Sequence, residues 1–452
     1  MEREFYRPYY HFSAPKGWMN DPNGLFYYKG KYHLCFQHNE EGLNWDIKSW
    51  GHAVSRDLFH WEYLPEAIRS GKDYAVFSGS AVVDKENVSG LKNGDDDPII
   101  LFFTAYPKGQ MCAYSQDGGK TFRKYGSVLP NRGEGDMPIG EDRDPKVFFH
   151  KETGKWIMIL YTFTHSRSAL PCYGFFSSSD LLNWEYESEI ENCFEMPDMF
   201  RLKVKDTDEE KWVVHAPNGD YTVGDFDGHR FIPCQKKNIN ARQYDIASPY
   251  TWNNTENRII QVGWMYTDYD YSQNFKNFYT LPVELSLRKR EGIYELLREP
   301  VREIQNIRKE IFSAENRVVE SGHGLFDDCH IDCPEACEID VEMEYNPFAI
   351  VALDTACGRI WYKSGDCSVQ YNHSNKDLFF NARCAYAEPK AGIIKYKVFI
   401  DKTTVEIFAD DGNVYMAYAS KWKKQPLNMF SVGSPLSFKV RSLKIYDLRG
   451  EN

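Results

Sequence analysis

Short apolar runs, each preceded by a polar turn, recur along the N-terminal two-thirds of the chain. Runs of this length, bounded by turn residues, predict β-strands. Five of them follow at intervals of about 50 to 70 residues, slightly above the usual period of propeller blades: Lys31–Phe36, Pro98–Thr104, Lys155–Tyr161, Lys211–His215 and Arg258–Trp264. Strand-rich units repeated at this period predict a β-propeller, and five copies predict five blades.

A turn sequence repeats beside these runs. The segment Ser55–Trp61 recurs as Ser178–Trp184 with the shared pattern Ser-x-Asp-Leu-x-x-Trp, and looser copies begin at Ser115 and Gly224. An ordinary β-sandwich with chance similarity among its turns is the alternative to a propeller. The full duplication of the turn pattern argues against that alternative.

The C-terminal part has a different organisation. Short alternating segments run from Cys337 to Tyr446 and are separated by turns such as Asp410–Asn413, which predicts a β-sandwich. The sequence therefore predicts an all-β protein, with a five-bladed β-propeller at 1–298, a linker at 299–312 and a β-sandwich at 313–452. We expect the second domain to be structural, or to be the surface through which the chain forms a homo-oligomer.

Composition narrows the classes of partner. The net charge of −12 argues against nucleic acid or an anionic membrane surface as a partner, and no apolar run is long enough to span a bilayer. Aromatic residues make up 15% of the chain, and sugar sites use their flat faces, although core packing accounts for most of them. Composition thus narrows the classes of partner without identifying one.

The eleven cysteines are an odd number, and Met1–Glu4 leads into the first motif without a signal-peptide pattern. We therefore expect reduced thiols and a cytoplasmic location. Cys329, Cys333 and Cys337 form the one cluster, but their spacing is not that of a usual zinc site. We expect no metal and no cofactor.

Three acidic motifs are the candidate chemistry: Trp18–Gly24, Glu141–Pro145 and Glu195–Asp198. In each, a carboxylate lies one or two residues before a proline and next to a strand-like run. A capped surface turn is the usual role of Asp-Pro and Asn-Gly pairs. Three such carboxylates from distant parts of the chain, each on a stiff turn at a strand end, instead favour a polar active site on a β scaffold.

These motifs resemble glycoside hydrolase family 32, which contains invertases, inulinases, levanases and related β-fructofuranosidases. The resemblance extends from Pro8 to Leu281–Leu285 and resumes weakly at Val405–Phe408. It rests on a series of motifs in the family's order: His11-Phe12, Trp18–Gly24, Phe36–Asn39, Trp45, Trp50–Ala53, Phe77–Ser80, Arg143–Pro145, Glu195–Asp198 and Gly263–Met265. The fold that it implies is also a five-bladed propeller followed by a β-sandwich.

The resemblance also assigns roles to the acids. It implies that Asp21 is the nucleophile, Glu195 the acid/base, and Asp144 a third acid that stabilises the transition state through fructose hydroxyls. This mechanism needs only carboxyl groups and water, with the two principal carboxyls roughly 5 to 5.5 Å apart in a retaining enzyme. The substrate-binding residues that it implies are Asn20, Gln37, Trp45, Phe77, Ser78, Arg143, Asp245 and Trp264. Asp245 lies in a segment that departs from the family's usual pattern.

Three acids in one pocket cannot all ionise cheaply, so the least solvated of them should keep its proton. We expect this to be Glu195, between two apolar neighbours, and we expect Asp144 beside Arg143 to stay ionised. Met196 stands where the family usually has cysteine; it is bulkier and donates no hydrogen bond, which predicts a shifted pH optimum or an altered leaving-group side. Four further acids predict an acidic rim that disfavours a phosphorylated substrate: Glu40, Glu41, Glu66 and Asp73.

The sequence thus predicts a retaining glycoside hydrolase that releases terminal β-linked fructose from sucrose or short fructo-oligosaccharides through a covalent fructosyl-enzyme intermediate. A sucrose-6-phosphate hydrolase and a fructosyltransferase are the alternatives on the same site. A carbohydrate-binding propeller without activity is the alternative from another class, and the intact acid trio argues against it. The choice among sucrose, inulin-type, levan-type and cyclic difructose substrates depends on loop shape, which stays open at this point.

Overall fold

The computed structural model describes residues 6–46, 49–131, 142–164, 170–191, 193–238, 246–267, 274–373, 383–432 and 436–450. Within these ranges the regular structure is all-β, apart from three short 3-10 turns at Arg302–Asn306, Ser364–Asp366 and Asp410–Gly412. No helix in the described ranges has the length and apolar character needed to cross a membrane. The all-β class predicted from the sequence is confirmed.

Five sheets, in which all but one of the strand pairs are antiparallel, follow one another along the first part of the chain. The first four contain β1 (Gly17–Tyr28), β2 (Lys31–Asn39), β3 (Ser49–Ser55) and β4 (Trp61–Ile68); β5 (Ala75–Val83), β6 (Ile99–Tyr106), β7 (Gly109–Ser115) and β8 (Arg123–Pro130); β9 (Arg143–His150), β10 (Lys155–Phe163), β11 (Pro171–Ser178) and β12 (Glu185–Glu191); and β13 (Asp198–Lys203), β14 (Glu210–His215), β15 (Tyr221–Phe226) and β16 (Phe231–Pro233). The fifth contains β17 (Ile246–Thr251), β18 (Ile260–Met265), β20 (Phe278–Tyr279), β21 (Val283–Arg290) and β22 (Ile293–Pro300). The short strand β19 (Phe275–Lys276) comes before β20 in the chain but pairs with β1 of the first sheet.

The sequence repeats map onto these sheets in a regular way. Each of the five predicted apolar runs overlaps the second strand of its sheet, namely β2, β6, β10, β14 or β18. The Ser-x-Asp turns join third to fourth strands: Ser55 donates to Asp57 at 3.0 Å, and Ser178 donates to Asp180 at 3.1 Å. Each turn therefore closes with the same side-chain hydrogen bond, which explains why its sequence recurs.

The first strands of the five sheets are joined by hydrogen bonds in a closed circuit. From β1 to β5 and from β5 to β9 the links are Gly79 N to Asn23 Oδ1 at 3.0 Å and Val147 N to Ser80 Oγ at 2.9 Å. Lys146 on β9 pairs with Asp198 on β13 at 2.9 Å, and Thr251 N on β17 donates to Asp198 Oδ2 at 2.8 Å. Asn253, just after β17, exchanges backbone hydrogen bonds with β1 at Leu25 and Tyr27. The first strands therefore surround a common axis.

Two further sheets make up the C-terminal part. Their strands are β23 (Lys309–Val319), β24 (Cys337–Glu344), β25 (Ile350–Thr355), β26 (Gly358–Lys363), β27 (Ser368–Asn372), β28 (Arg383–Tyr386), β29 (Ile393–Asp401), β30 (Thr404–Ala409), β31 (Val414–Ala419), β32 (Asn428–Ser431) and β33 (Phe438–Asp447). One sheet has the order β23-β33-β24-β29-β30-β31 and the other β28-β27-β26-β25-β32. Apolar side chains of both sheets, such as Val398 and Leu353, are buried in one shared core. This is the two-layer packing of a β-sandwich.

The two parts of the chain meet at a buried histidine. His11, from the segment before β1, places Nδ1 3.0 Å from Asp401 Oδ2 and Nε2 2.6 Å from Glu406 Oε1. Both carboxylates belong to the six-stranded sheet, and all three side chains are fully buried. Strand β23 begins at Lys309, inside the predicted linker at 299–312, and the exact domain boundaries remain a prediction.

Candidate active site

A cavity of about 430 Å³ opens where the first strands of the five sheets begin. Ten of the eleven site residues named from the sequence line it: Asn20, Asp21, Gln37, Trp45, Phe77, Ser78, Arg143, Asp144, Glu195 and Trp264. The eleventh, Asp245, lies outside the described residues. Residues that are distant in sequence thus share one cavity.

Several pairs of consecutive residues line this cavity, including Asn20 with Asp21 and Phe77 with Ser78. In a regular strand, consecutive side chains point to opposite faces. The pairing register shifts by one residue at each place: between Met19 and Pro22 of β1, between Val76 and Gly79 of β5, between Arg143 and Lys146 of β9, and between Ala247 and Tyr250 of β17. These bulges re-aim the side chains beside them, so neighbouring polar groups reach the same cavity.

Asp21 is held by a short chain of side-chain hydrogen bonds. Ser78 Oγ donates to Asp21 Oδ2 at 2.7 Å, and Gln37 Nε2 donates to Ser78 Oγ at 3.3 Å. Asn23 Nδ2 donates to the Asp21 carbonyl at 3.0 Å. Ser78 and Gln37 therefore orient the Asp21 carboxylate. This role is separate from the sugar-binding role that the family resemblance implies for both residues.

Asp144 is the most buried of the three acids, with 4% of its surface exposed. Its backbone is left-handed, with φ of 64°, and its N–H donates to Thr104 Oγ1 at 2.9 Å. Burial raises the pKa of Asp144 to about 7; the Arg143 charge opposes this rise and the negative charge of Asp21 adds to it. The carboxyl therefore carries a proton for part of the time near neutral pH.

Glu195 is the more solvated acid, since 39% of its side chain is exposed. Arg143 Nη2 donates to Glu195 Oε1 at 2.7 Å, whereas Arg143 Nε lies 3.8 Å from Asp144 Oδ2. The guanidinium also lies over the Tyr161 ring, 4.4 Å from its centroid. Arg143 thus holds Glu195 more closely than it holds its sequence neighbour Asp144.

This arrangement corrects one expectation from the sequence. The apolar sequence neighbours of Glu195 predict that it is the least solvated acid, and the adjacent Arg143 predicts that Asp144 stays ionised. The rule that the least solvated acid keeps its proton holds, but the acid to which it applies is Asp144. Sequence neighbours misled because the aromatic neighbour of Glu195, Phe194, is itself 58% exposed and shields little.

The turn that carries Glu195 has an uncommon backbone. Glu195 and Met196 are both left-handed, with φ of 34° and 37°. The Met196 N–H donates to Asp144 Oδ2 at 3.1 Å, so the turn is tied to the third acid. Left-handed backbone at residues with large side chains persists only where the surroundings fix it, and such positions concentrate at functional sites.

Aromatic and amide groups complete the wall. The Phe77 ring stacks on Tyr106 with centroids 5.1 Å apart, and Trp18 Nε1 donates to Asn20 Oδ1 at 2.9 Å. Trp45 is 61% exposed at the rim. Within the described residues, Trp264 Nε1 is a buried donor without a hydrogen-bond partner. The site therefore combines apolar faces with polar groups, as sugar sites do.

Five further lining residues were missed from the sequence: Pro217, Asn218, Ile246, Ala247 and Ser248. Two signals could have found them. The tripeptide Pro-Asn-Gly of the first motif recurs at Pro217–Gly219, and the last three residues directly follow Asp245. Neither signal has the acidic character that the three candidate motifs share.

The predicted acidic rim does not form at this cavity. Glu40 pairs with Lys16 at 3.3 Å and Glu66 with Arg69 at 2.8 Å, while Asp73 contacts Lys108. None of the four predicted rim acids lines the cavity as described. These four acids therefore give the cavity no acidic rim that would exclude a phosphorylated substrate.

A second cavity, of about 410 Å³, lies between β22 and the six-stranded sheet. Its carboxylates are neutralised by neighbouring lysines: Asp340 pairs with Lys397 at 2.5 Å and Glu342 with Lys395 at 2.7 Å. In the described ranges, no group of three or more histidine, cysteine or acidic side chains is placed to hold a metal ion. The acid trio makes the first cavity the candidate active site.

Known proteins resemble this chain over most of its length. Residues 11–300 match the N-terminal domain of glycosyl hydrolases family 32. A levanase of Bacillus subtilis is 31% identical over 99% of this chain and 71% of its own length, and an invertase of Schizosaccharomyces pombe is 36% identical over 62% of this chain and 53% of its own.

The fold has solved counterparts. The crystal structure of exo-inulinase from Aspergillus awamori superimposes with a TM-score of 0.86 at 24% identity, and covers 98% of both chains. The match to the family and the identity to the levanase confirm the family that the acid motifs resemble. The chain therefore belongs to glycoside hydrolase family 32, and is a glycoside hydrolase of the β-fructofuranosidase type.

Proposed function

We propose that this protein is a retaining hydrolase that releases terminal β-linked fructose from sucrose or short fructo-oligosaccharides. The observation that carries the proposal is that Asp21, Asp144 and Glu195 line one cavity. Relatives named levanase, exo-inulinase and invertase support a fructan or sucrose substrate. The family's five-bladed propeller is part of the proposal: the five sheets would be its blades, with the cavity at one end of their axis.

Asp21 would act as the nucleophile. Ser78 occupies Oδ2 of this carboxylate, which leaves Oδ1 for attack on the anomeric carbon of fructose. The hydrogen bond restricts the carboxylate to few orientations, and a fixed near-attack geometry lowers the barrier to covalent bond formation. The product of this step is a fructosyl ester of Asp21.

Glu195 would donate a proton to the leaving oxygen and then take one from the attacking water. Arg143 contacts one oxygen, Oε1, at 2.7 Å, so Oε2 is the oxygen left to carry the transferred proton. Partial exposure of Glu195 suits a group that must exchange a proton with water in every turnover.

Asp144 would hydrogen-bond fructose hydroxyls. Its carboxyl is buried and bound to the Met196 N–H through Oδ2, and a hydrogen bond to a buried carboxyl is stronger than one in water. Conversion of Asp21 into an ester removes a negative charge that raises the pKa of Asp144. Asp144 would therefore ionise more readily in the covalent intermediate than in the free enzyme.

The cavity favours an uncharged sugar. Arg143 is the single lysine or arginine among the described lining residues, and Glu195 and Asp144 already surround it. A phosphate group on the substrate would need cations that this lining does not supply. We therefore expect sucrose 6-phosphate to be a poorer substrate than sucrose.

Two parts of the proposal concern the protein's surroundings. All eleven cysteines are free thiols, which supports a reducing compartment such as the cytoplasm, although exo-inulinase relatives are named as extracellular. Association into a homo-oligomer through the β-sandwich remains a proposal. Size-exclusion chromatography with light scattering, on the full chain and under reducing conditions, tests the second of these.

The test is a product assay on sucrose, sucrose 6-phosphate, 1-kestose, inulin and levan, with proton NMR of the first sugar released. We expect fructose from sucrose and 1-kestose, first seen as the β-anomer. Asp21→Asn and Glu195→Gln should each abolish turnover of sucrose while the circular dichroism spectrum is kept. Asp225→Asn, at a carboxylate 65% exposed outside the cavity, is the matched control and should keep full activity.

Other outcomes point elsewhere. Release of the α-anomer would refute a retaining mechanism, and preference for sucrose 6-phosphate would refute the substrate assignment. Accumulation of longer fructo-oligosaccharides in place of free fructose would indicate a fructosyltransferase. Sugar binding without any turnover would indicate a carbohydrate-binding protein.

A further inference from the structure

We propose that Tyr173 is a positioning residue for the acid/base: its hydroxyl fixes the left-handed turn that aims Glu195 into the cavity. Tyr173 lies on β11, which β12 separates from the turn along the chain, and it is 1% exposed. The inference rests on the proposed function, because Tyr173 would act only through Glu195 in its role as the acid/base.

The contact is double. The Tyr173 hydroxyl lies 2.9 Å from the carbonyl oxygen of Phe194 and 2.9 Å from that of Glu195. It donates its one hydrogen to this pair of consecutive carbonyls, which can face the same group only where the backbone curls. The left-handed backbone of Glu195 and Met196 provides this curl, since successive carbonyls in a left-handed turn point in similar directions.

The turn needs such a restraint. Left-handed backbone is uncommon for residues with bulky side chains, and an extended alternative would relieve its strain. Two other contacts hold the turn, namely the Arg143 bond to the Glu195 carboxylate and the Met196 N–H bond to Asp144. Each of these contacts includes a carboxyl of the acid trio, Glu195 in the first and Asp144 in the second, and the charge of each carboxyl changes in the proposed mechanism. Tyr173 is the contact that stays constant, because its pKa is raised far above the ordinary value by burial.

Loss of the hydroxyl should therefore affect proton donation more than fructose binding. Tyr173→Phe keeps the ring in place beside its strand neighbours and removes only the donor. The turn then relaxes, and the Glu195 carboxyl moves away from the leaving oxygen. Asp21, which is held by Ser78 on other strands, keeps its place.

The experiment compares kcat/KM for sucrose with kcat/KM for p-nitrophenyl β-D-fructofuranoside in the same enzyme samples. The first substrate needs a proton on its leaving oxygen, and p-nitrophenolate leaves without one. For Tyr173→Phe we expect a loss of about 100-fold on sucrose, the order of effect of a displacement of about 1 Å. We expect a loss of less than about threefold on the activated substrate, since general acid assistance contributes little there.

The ratio of the two values does not depend on how much of the sample is folded. Tyr362→Phe is the matched control, because Tyr362 is also 1% exposed and donates to the Ala387 carbonyl at 2.9 Å, in the β-sandwich. The control should leave the ratio unchanged. An equal loss on both substrates, or no loss on either, for Tyr173→Phe would overturn the inference alone. A wild-type protein that cleaves neither substrate would overturn the proposed function together with it.

Discussion

The buried His11 makes the stability of the whole chain depend on pH. Burial opposes a charge on the imidazole, but the hydrogen bonds and negative charges of Asp401 and Glu406 outweigh it and raise the pKa of His11 from 6.5 to about 9. Asp401 also accepts hydrogen bonds from the backbone of Tyr9 and Tyr10, so the cluster ties the N-terminal segment to the six-stranded sheet. The contact joins the two parts of the fold.

The direction and size of the effect follow from linkage. The folded state binds the proton more tightly than the unfolded state, so the stabilisation is fully present below pH 6.5 and is lost as the pH rises through 9. A change of pKa from 6.5 to about 9 corresponds to about 3 kcal/mol, at 1.36 kcal/mol for each tenfold change in proton affinity. No exposed charge pair would produce an effect of this size.

The assay is urea unfolding followed by tryptophan fluorescence at a series of pH values. The control is the double variant His11→Gln/Glu406→Gln, in which neither side chain titrates and Asp401 keeps its backbone donors. The difference in unfolding free energy between wild type and control should fall by about 3 kcal/mol from pH 6.5 to above pH 9. A difference that is constant, or that grows with pH, would refute the reasoning.

Three further changes have defined outcomes. Ser78→Ala removes the donor to Asp21 Oδ2 and should lower kcat on sucrose about tenfold with little change in KM, as initial rates would measure. Lys146→Met leaves the buried Asp198 without its counter-charge and should destabilise the fold by about 3 to 5 kcal/mol in urea unfolding, while the double variant with Asp198→Leu recovers most of that loss. Met196→Cys should shift the pH–rate profile or the leaving-group preference on fructosides, because a smaller group that can donate a hydrogen bond then follows Glu195; an unchanged profile and preference would remove this idea.

Many residues of the site could be predicted because short sequence segments determine the local backbone around them. The proline after Asp21 and the proline after Asp144 predict stiff backbone beside each acid, and both lie at pairing irregularities of their strands. The apolar runs predict one strand in each sheet because the same position of every sheet must be buried on both faces. These signals act over a few residues, so the sequence carries them directly.

The properties that sequence reasoning predicted poorly depend on distant partners. The proton affinity of Asp144 reflects burial by several sheets, and no neighbour in sequence reports that burial. The closer partner of Arg143 is Glu195, 52 positions away, at 2.7 Å, whereas the adjacent acid Asp144 lies 3.8 Å from the guanidinium. The sequence marks His11 as part of a motif, yet the two carboxylates that surround it come from the other end of the chain.

In the proposed mechanism, Asp21 forms a covalent bond to fructose while Glu195 serves the proton transfers. The most direct measurement is intact-protein mass spectrometry of the Glu195→Gln variant after brief mixing with p-nitrophenyl β-D-fructofuranoside, followed by peptide mapping. We expect a mass increase of one anhydrofructose unit, located on the peptide that contains Asp21 and absent from the Asp21→Asn/Glu195→Gln variant. Turnover of the activated substrate by the wild type, together with a label on any other residue, would contradict it.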